Sequence, residues 1–275
     1  MSVLPAESPP DEENQAEEES SERSELVTGF TRGMAVIRAF SAAAPFLTIA
    51  EVARAAGLNR SSARRLLRTL EAENYVGCQG GRYFLRPGVL ELGYSYLAAC
   101  SVDDLLQGRL FEVAEQVRES CTAAVLDGHQ AVFVARALTT HPRVTMLALT
   151  VGTRVPAYLT AAGRVLLADL ADAELEDYLV TADFRQATPL TVANGDDLRR
   201  NIRAIRDQGY CILDQEIELG MRACAVPVRR PGRPTLAISV SSHASRGTVE
   251  SVRRDHLPAL EEAARELVKV FTLRT

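Results

Sequence analysis

Residues 48–70 read TIAEVARAAGLNRSSARRLLRTL, and this stretch decides the fold. It patterns as two short helices joined by a tight turn. Thr48 suits an N-cap, and Glu51 three residues later completes a capping box. Ile49, Val52 and Ala53 share an apolar face. Gly57 closes this helix, because the turn needs a residue that tolerates positive φ. Leu58 plugs the turn, and Asn59 caps the second helix. There Ala63, Leu66, Leu67 and Leu70 fall at i, i+3, i+4 and i+7, and Ser61, Arg64, Arg65 and Arg68 fall at the same spacing. At about 3.6 residues per turn the two stripes lie about 160° apart. One face packs on the protein while the other carries its arginines and a hydroxyl outward, as a helix entering a DNA major groove requires. A solvated face on an ordinary helical hairpin is the bland alternative. The turn glycine, the capping box and the single sign of charge together favour DNA.

Charge distribution supports this reading. The 275 residues suit two domains and carry a formal net charge of −5, which alone argues against a general nucleic-acid binder. Residues 1–25 hold nine acids and one Arg, whereas residues 30–86 hold nine Arg and three Glu, a net of +6. A basic module on an acidic body is the pattern to explain. Residues 1–25 are rich in Pro, Ser and Glu and cannot build a core, so a disordered acidic tail is expected there. No apolar run approaches the length of a membrane span, and no signal peptide is expected at the acidic N-terminus. The five cysteines are scattered without a CxxC pair, and the four histidines are equally dispersed. Neither a metal site nor a cofactor is expected.

Moving outward, Met34, Ile37 and Phe40 share a helical face before Pro45 breaks the chain. After Leu70, residues 75–78 and 82–85 are β-prone, and Gly80-Gly81 between them suits a hairpin turn. Three helices and a hairpin make a winged helix-turn-helix. Arg82 then sits near the hairpin tip, where it either reaches phosphate or the minor groove or is an exposed turn charge. Residues 87–99 open with Pro-Gly and turn helical, a linker whose tyrosines and leucines need a partner surface.

From Val102 the character changes. Helical patterns are predicted over 102–120, 160–170, 173–180 and 196–208, with one long helix over 249–271. Strands are predicted over 121–126, 130–138, 144–149, 210–213, 223–228 and 236–241, with Asp127-Gly128 as a hairpin turn. Strands, then helices, then strands indicate an α+β domain with a mixed or antiparallel sheet. The expected domains are a tail (1–25), a winged helix-turn-helix (26–86), a linker helix (87–101) and an effector-binding and oligomerisation domain (102–275).

Two segments of the second domain suit a small anion. Thr160 can cap a helix whose first residues, Ala161, Ala162 and Gly163, are small enough for a carboxylate to approach free backbone N–H groups. Close helix–sheet packing selects the same residues. Ser239 and Ser241 share one face of a strand and either line a polar pocket or lie on an exposed sheet. Asp214, Glu216 and Glu218 can act as acid or base, receive a ligand amine or hydroxyl, or simply be solvated. No nucleophile–base constellation accompanies them, so no catalytic residue is assigned.

Four stretches in order, LTIAEVARAAGLNRSSARRLLRTLEAENYV, LTAAGRVLLA, GYCILDQEIELGMRACAVPV and LAISVSS, resemble the IclR family of bacterial transcription regulators from about Phe30 onward. The segments FTRGMAVIRAFS and PGVLELGYSYLA further resemble its branch controlling protocatechuate and β-ketoadipate breakdown. The resemblance implies a winged helix-turn-helix, a linker helix and a GAF/profilin-like α+β effector domain. It implies cytoplasmic, nucleoid-associated homodimers, often paired as tetramers, on palindromic operator DNA, with RNA polymerase as a further partner such a regulator can have. It implies a small carboxylate effector held by Ala161, Ala162, Gly163, Asp214, Glu216, Ala223, Cys224, Ser239 and Ser241. Ala223 stands where some members have Cys, which places Cys224 on the opposite strand face. Leu213 stands where some have a pocket Asp, which turns Asp214 away.

On this reading Thr48, Asn59, Arg60, Ser61, Ser62, Arg64, Arg65, Arg68 and Arg82 meet DNA, the arginines dividing between guanine edges and phosphates. Two rivals stand beside it: a small-molecule hydrolase or transferase tethered to DNA, and a structural nucleoid or adaptor protein.

Overall fold

The computed structural model describes residues 27–99, 104–140 and 149–273. The acidic tail lies outside the described residues, as do residues 144–148 of one expected strand. The chain divides into two compact units between Ser95 and Tyr96.

The first unit holds α1 (Thr28–Arg38), α2 (Ile49–Ala55), α3 (Arg60–Ala72) and the hairpin strands β1 (Val76–Gln79) and β2 (Arg82–Leu85). Its core joins Val36 and Phe40 to Leu47, Val52, Ala63, Leu67, Val76 and Tyr83. Val36, rather than Met34 or Ile37, is the buried residue of α1, because the helix ends at Arg38 and Phe40 enters the core from beyond it. At α2 the capping box is complete: Thr48 N–H donates to Glu51 Oε2 at 2.7 Å, and Glu51 N–H to Thr48 Oγ1 at 3.3 Å. These bonds from Thr48 hold the Glu51 carboxyl below its usual pKa. In the hairpin Gln79 faces Arg82, and both turn glycines take positive φ, 58° and 76°, as this tight turn demands. Leu47 and Tyr83 exchange backbone bonds of 2.9 and 2.7 Å, which tie the hairpin to the start of α2.

Helix α4 (Val89–Ala99) crosses the boundary between the units. Leu90, Leu92, Tyr94 and Tyr96 on it are exposed.

The second unit is a six-stranded antiparallel sheet. Its strands are β3 (Ser120–Asp127), β4 (Gln130–Ala137), β5 (Arg154–Pro156), β6 (Cys211–Asp214), β7 (Met221–Arg230) and β8 (Arg233–His243), in the order β5-β4-β3-β8-β7-β6. Alternation along β8 sends Leu236, Ile238 and Val240 to one face and Ala237 and Ser239 to the other. The first face packs on α5 (Asp104–Val117), α9 (Val249–Asp255) and α10 (Leu257–Leu273). The second packs on α6 (Ala161–Ala168), α7 (Asp172–Thr181) and α8 (Gly195–Gln208).

Two expectations are corrected. The strand β5 was not anticipated, being three residues long and so too short for periodicity. The long final helix is broken into α9 and α10, because Pro258 has no N–H to bond the preceding turn. His256 sits at the break, and its Nδ1 is buried without a hydrogen-bond partner among the described residues.

Burial lowers the His256 pKa, with the Glu119 charge opposing the shift. The folded protein therefore disfavours the charged ring. The stability gained from neutral His256 is present in full above the ordinary histidine value of about 6.5 and is lost as pH falls through the lower folded value. The urea midpoint should drop over that acidic window, and His256→Gln should flatten the drop.

Candidate DNA-binding helix and effector pocket

Helix α3 is built to show one face. Asn59 Oδ1 accepts from Ser62 N–H and from the Ser61 hydroxyl, both at 2.8 Å, which fixes where the helix begins. Ala63 and Leu67 are fully buried, with Leu66 and Leu70 half-buried beside them. Arg60, Ser61, Arg64, Arg65 and Arg68 are exposed, so the two stripes read from the sequence stand on opposite sides. The oxygens of Thr48 and Asn59 are spent on helix starts. Arg82 is exposed at the hairpin end, and its Nη1 lies 3.4 Å from the Phe46 carbonyl.

In the second unit, a cavity opens where the N-terminus of α6 meets the sheet. It is a partly open concavity of about 380 Å³ whose inner free space is about 20 Å³, room for about one water. Apolar walls come from Phe133, Leu149, Leu159, Leu213, Ile217 and Met221, and the polar groups are Thr160, Ser239, Ser241 and Glu216. Ala161, Ala162 and Ala223 complete it. Thr160 caps α6 by accepting from Gly163 N–H at 2.9 Å. The N–H groups of Ala161 and Ala162 stand in the first turn of α6, where no helical carbonyl precedes them to accept. Ser239 is buried, and its hydroxyl lies 2.8 Å from that of Thr122.

Beside this cavity runs a buried ion pair. Arg164 is fully buried on α6. Its Nε donates to the Tyr158 carbonyl at 2.7 Å and its Nη1 to Asn201 Oδ1 at 3.0 Å. Nη1 also reaches Glu216 Oε1 at 3.1 Å, and Nη2 bonds Glu216 Oε2, giving a bidentate pair. The Glu216 backbone is tied as well, since Thr191 Oγ1 donates to its carbonyl at 2.5 Å.

The residues implied for the effector thus divide. Ala161, Ala162, Glu216, Ala223, Ser239 and Ser241 line one cavity. Gly163, Asp214 and Cys224 are not on its wall. A Cβ on Gly163 would lie 2.2 Å from the Ala157 carbonyl oxygen, so this glycine serves close packing on the one-turn helix Ala157–Leu159. Asp214 alternates away from the wall residue Leu213 and accepts from Arg222 Nε at 2.9 Å. Cys224 faces the opposite core, where burial pushes its thiol up to about 12. Glu216 is on the wall, but its carboxylate is paired with Arg164 and its Oε2 also accepts from Val192 N–H at 3.2 Å. Sequence reasoning gave Arg164 no role. Its signal was a lone cation inside the apolar helix AAGRVLLA.

A basic helix-turn-helix joined to a domain with a partly open pocket defines a ligand-responsive DNA-binding regulator, and the comparisons agree. Residues 30–78 match the IclR helix-turn-helix domain, and residues 94–269 match the bacterial transcriptional regulator IclR C-terminal domain. The chain belongs to the IclR family of bacterial transcriptional regulators. It is 36% identical over 244 residues to the Pca regulon regulatory protein of Pseudomonas putida, covering 88% of this chain and 84% of that protein. It is 33% identical over 250 residues to the Pca operon regulatory protein of Acinetobacter baylyi, with 90% of each covered. A solved IclR homologue from Microbacterium hydrocarbonoxydans, complexed with 4-hydroxybenzoate, superposes with a TM-score of 0.79 at 25% identity, covering 90% of this chain and all of that one. The family is one of regulators, so the tethered-enzyme reading is set aside.

Removing one partner of a buried pair leaves the other charge uncompensated, at a cost of about 3–5 kcal/mol. Glu216→Ala should lose about that much by urea denaturation. The double substitution Arg164→Met with Glu216→Leu should recover most of it. A loss below about 1 kcal/mol for Glu216→Ala would contradict the arrangement.

Proposed function

We propose that this protein binds a palindromic operator as a homodimer and controls genes of aromatic-acid breakdown in response to a small aromatic carboxylate. The observation that carries the DNA half is the arginine face of α3 standing opposite its buried stripe. Arg64, Arg65 and Arg68 divide between guanine edges and phosphates, and Arg60, Ser61 and Ser62 take phosphate near the helix start. Thr48 and Asn59 act by setting the helix starts. Arg82 approaches the backbone beside the groove.

In the effector half, the carboxylate takes the N–H groups of Ala161 and Ala162 at the positive end of α6. The ring lies against Phe133, Leu159 and Ile217, and a ring hydroxyl meets Ser239 or Ser241. Relatives named for the Pca regulon and a homologue holding 4-hydroxybenzoate support this ligand class. The space free of protein atoms at the inner end of the pocket, about 20 Å³, is far smaller than such a ring, so the ligand widens the pocket as it binds. That widening lets the ligand favour one arrangement of the protein over another.

A second copy covers the exposed Leu90, Leu92, Tyr94 and Tyr96 of α4, and pairs of dimers follow on longer operators. The setting is the cytoplasm, on nucleoid DNA. No helix among the described residues is long and apolar enough to cross a membrane.

A base-reading arginine should cost about 1–3 kcal/mol of operator affinity when replaced by Ala and relax specificity at one position. In a gel-shift titration, Arg64→Ala and Arg65→Ala that both bind as the parent does would refute the assignment of this face. Calorimetry should register heat with 4-hydroxybenzoate or protocatechuate. No heat and no thermal shift with either would remove the aromatic-acid assignment and leave the family intact.

A further inference from the structure

The second unit holds another cavity, and its chemistry is unlike that of the first. It is a half-open groove of about 390 Å³, room for a whole aromatic acid, and it lies beside the edge strand β5. Leu159 lines both cavities, so the one-turn helix Ala157–Leu159 is a shared wall.

The hydrogen positions follow from the partners. Thr181 Oγ1 gives its single proton to the Asp177 carbonyl at 2.6 Å. With that proton spent, it accepts from His129 Nε2 at 3.2 Å, and in the neutral ring of this tautomer Nδ1 is an acceptor. The exposed His129 ring lies 5.0 Å from the buried Tyr178 ring, tilted by 33°, and forms an aromatic shelf. Tyr178 accepts from Tyr158 N–H at 3.2 Å, so its own phenol hydrogen remains to be donated. Burial raises the Tyr178 pKa to about 12, which keeps that hydrogen in place at neutral pH. Gln130 Oε1 is taken by Arg154 Nε at 2.7 Å, leaving its amide hydrogens. Arg185 is 83% exposed and meets Asp183 through Nε and Nη2, leaving Nη1 uncommitted among the described contacts.

Donors on one cation, one amide and one phenol thus converge beside an aromatic shelf, with acceptors on His129 and Asp183. We propose that this groove is a second small-molecule site, separate from the effector pocket, that takes a hydroxylated aromatic carboxylate. The carboxylate meets Arg185 and the Gln130 amide, the ring stacks on His129, and the hydroxyl finds an acceptor in Asp183 or His129 Nδ1. Occupancy presses on the Tyr158–Leu159 segment. The Tyr158 carbonyl holds Arg164, and Arg164 holds Glu216 on the wall of the first cavity. A ligand in the groove therefore bears on the first pocket without entering it.

The test is NMR of the histidine imidazoles in the full chain during titration with 4-hydroxybenzoate, with calorimetry on the same samples. There are four histidines, and His129→Gln assigns the one of interest. The His129 resonances should move saturably. Arg185→Ala, a change at an exposed side chain whose circular dichroism should match the parent's, should raise the midpoint of that movement at least tenfold while heat from the first pocket persists. His129 resonances that stay fixed while calorimetry shows saturation would overturn the second site and leave the first pocket standing. A midpoint unchanged in both Arg185→Ala and Tyr178→Phe would overturn it equally. Movement of His129 with no second heat would sink the first-pocket reading instead and uphold the groove.

Discussion

A fully buried arginine must be answered on every side, and in this protein the answer organises the ligand-binding domain. Taking a guanidinium and a carboxylate out of water costs several kcal/mol per ion after relaxation, and only near-ideal geometry offsets it. Arg164 meets that demand with Glu216, Asn201 and the Tyr158 carbonyl. Those partners belong to three different places, the loop after β6, helix α8 and the one-turn helix before α6, and all three are joined to α6 through Arg164. The threonines at 188 and 191 then hold the Glu216 loop by its carbonyls. The pair adds little net stability by itself. What it does is fix one relative placement of the elements that wall the pocket.

That placement has a functional consequence. With Glu216 held by Arg164, the pocket presents no free carboxylate, and its electropositive feature is the start of α6. In the function proposed above, that end of α6 receives an anionic ligand without a bare cation having to be buried for it. Hydroxyls of Ser239 and Ser241 on the sheet supply the polar groups across the space. The DNA-binding unit is organised by different physics. Its arginines are exposed, and its architecture depends on helix caps, a small apolar core and the backbone tie between Leu47 and Tyr83. A ligand can influence DNA affinity only by binding two arrangements of the protein unequally. On the proposed function, a narrow pocket that widens around its ligand supplies such an inequality.

How much of this the chain announces depends on the distance between interacting residues. The helix-turn-helix was legible because its signals are local: Thr48 with Glu51, Asn59 with Ser62, and two stripes at helical spacing. The pocket was legible in its backbone features, since small residues at a helix start and alternating serines on a strand are also local patterns. The resemblance implied Asp214 and Cys224 as effector contacts while its departures at Leu213 and Ala223 put them in question, and neither lies on the cavity wall. The partner of Glu216 was not legible, because it lies 52 residues off and nothing local distinguishes a paired carboxylate from a solvated one. Gly163 was ambiguous for a similar reason, as closeness to Ala157 and closeness to a ligand select the same residue. The break at Pro258 was visible in the sequence, but the apolar periodicity on both sides outweighed it. Strand β5 had too few residues to show a period at all.

The most direct test of the account is the structure of the protein with its aromatic acid bound. The ligand carboxylate should lie within about 3 Å of the Ala161 and Ala162 nitrogens, with Arg164 still bidentate to Glu216. A complex in which the ligand carboxylate has displaced Glu216 and sits on the Arg164 guanidinium would contradict it, because the ion pair would then be a binding switch and not the strut that shapes the pocket.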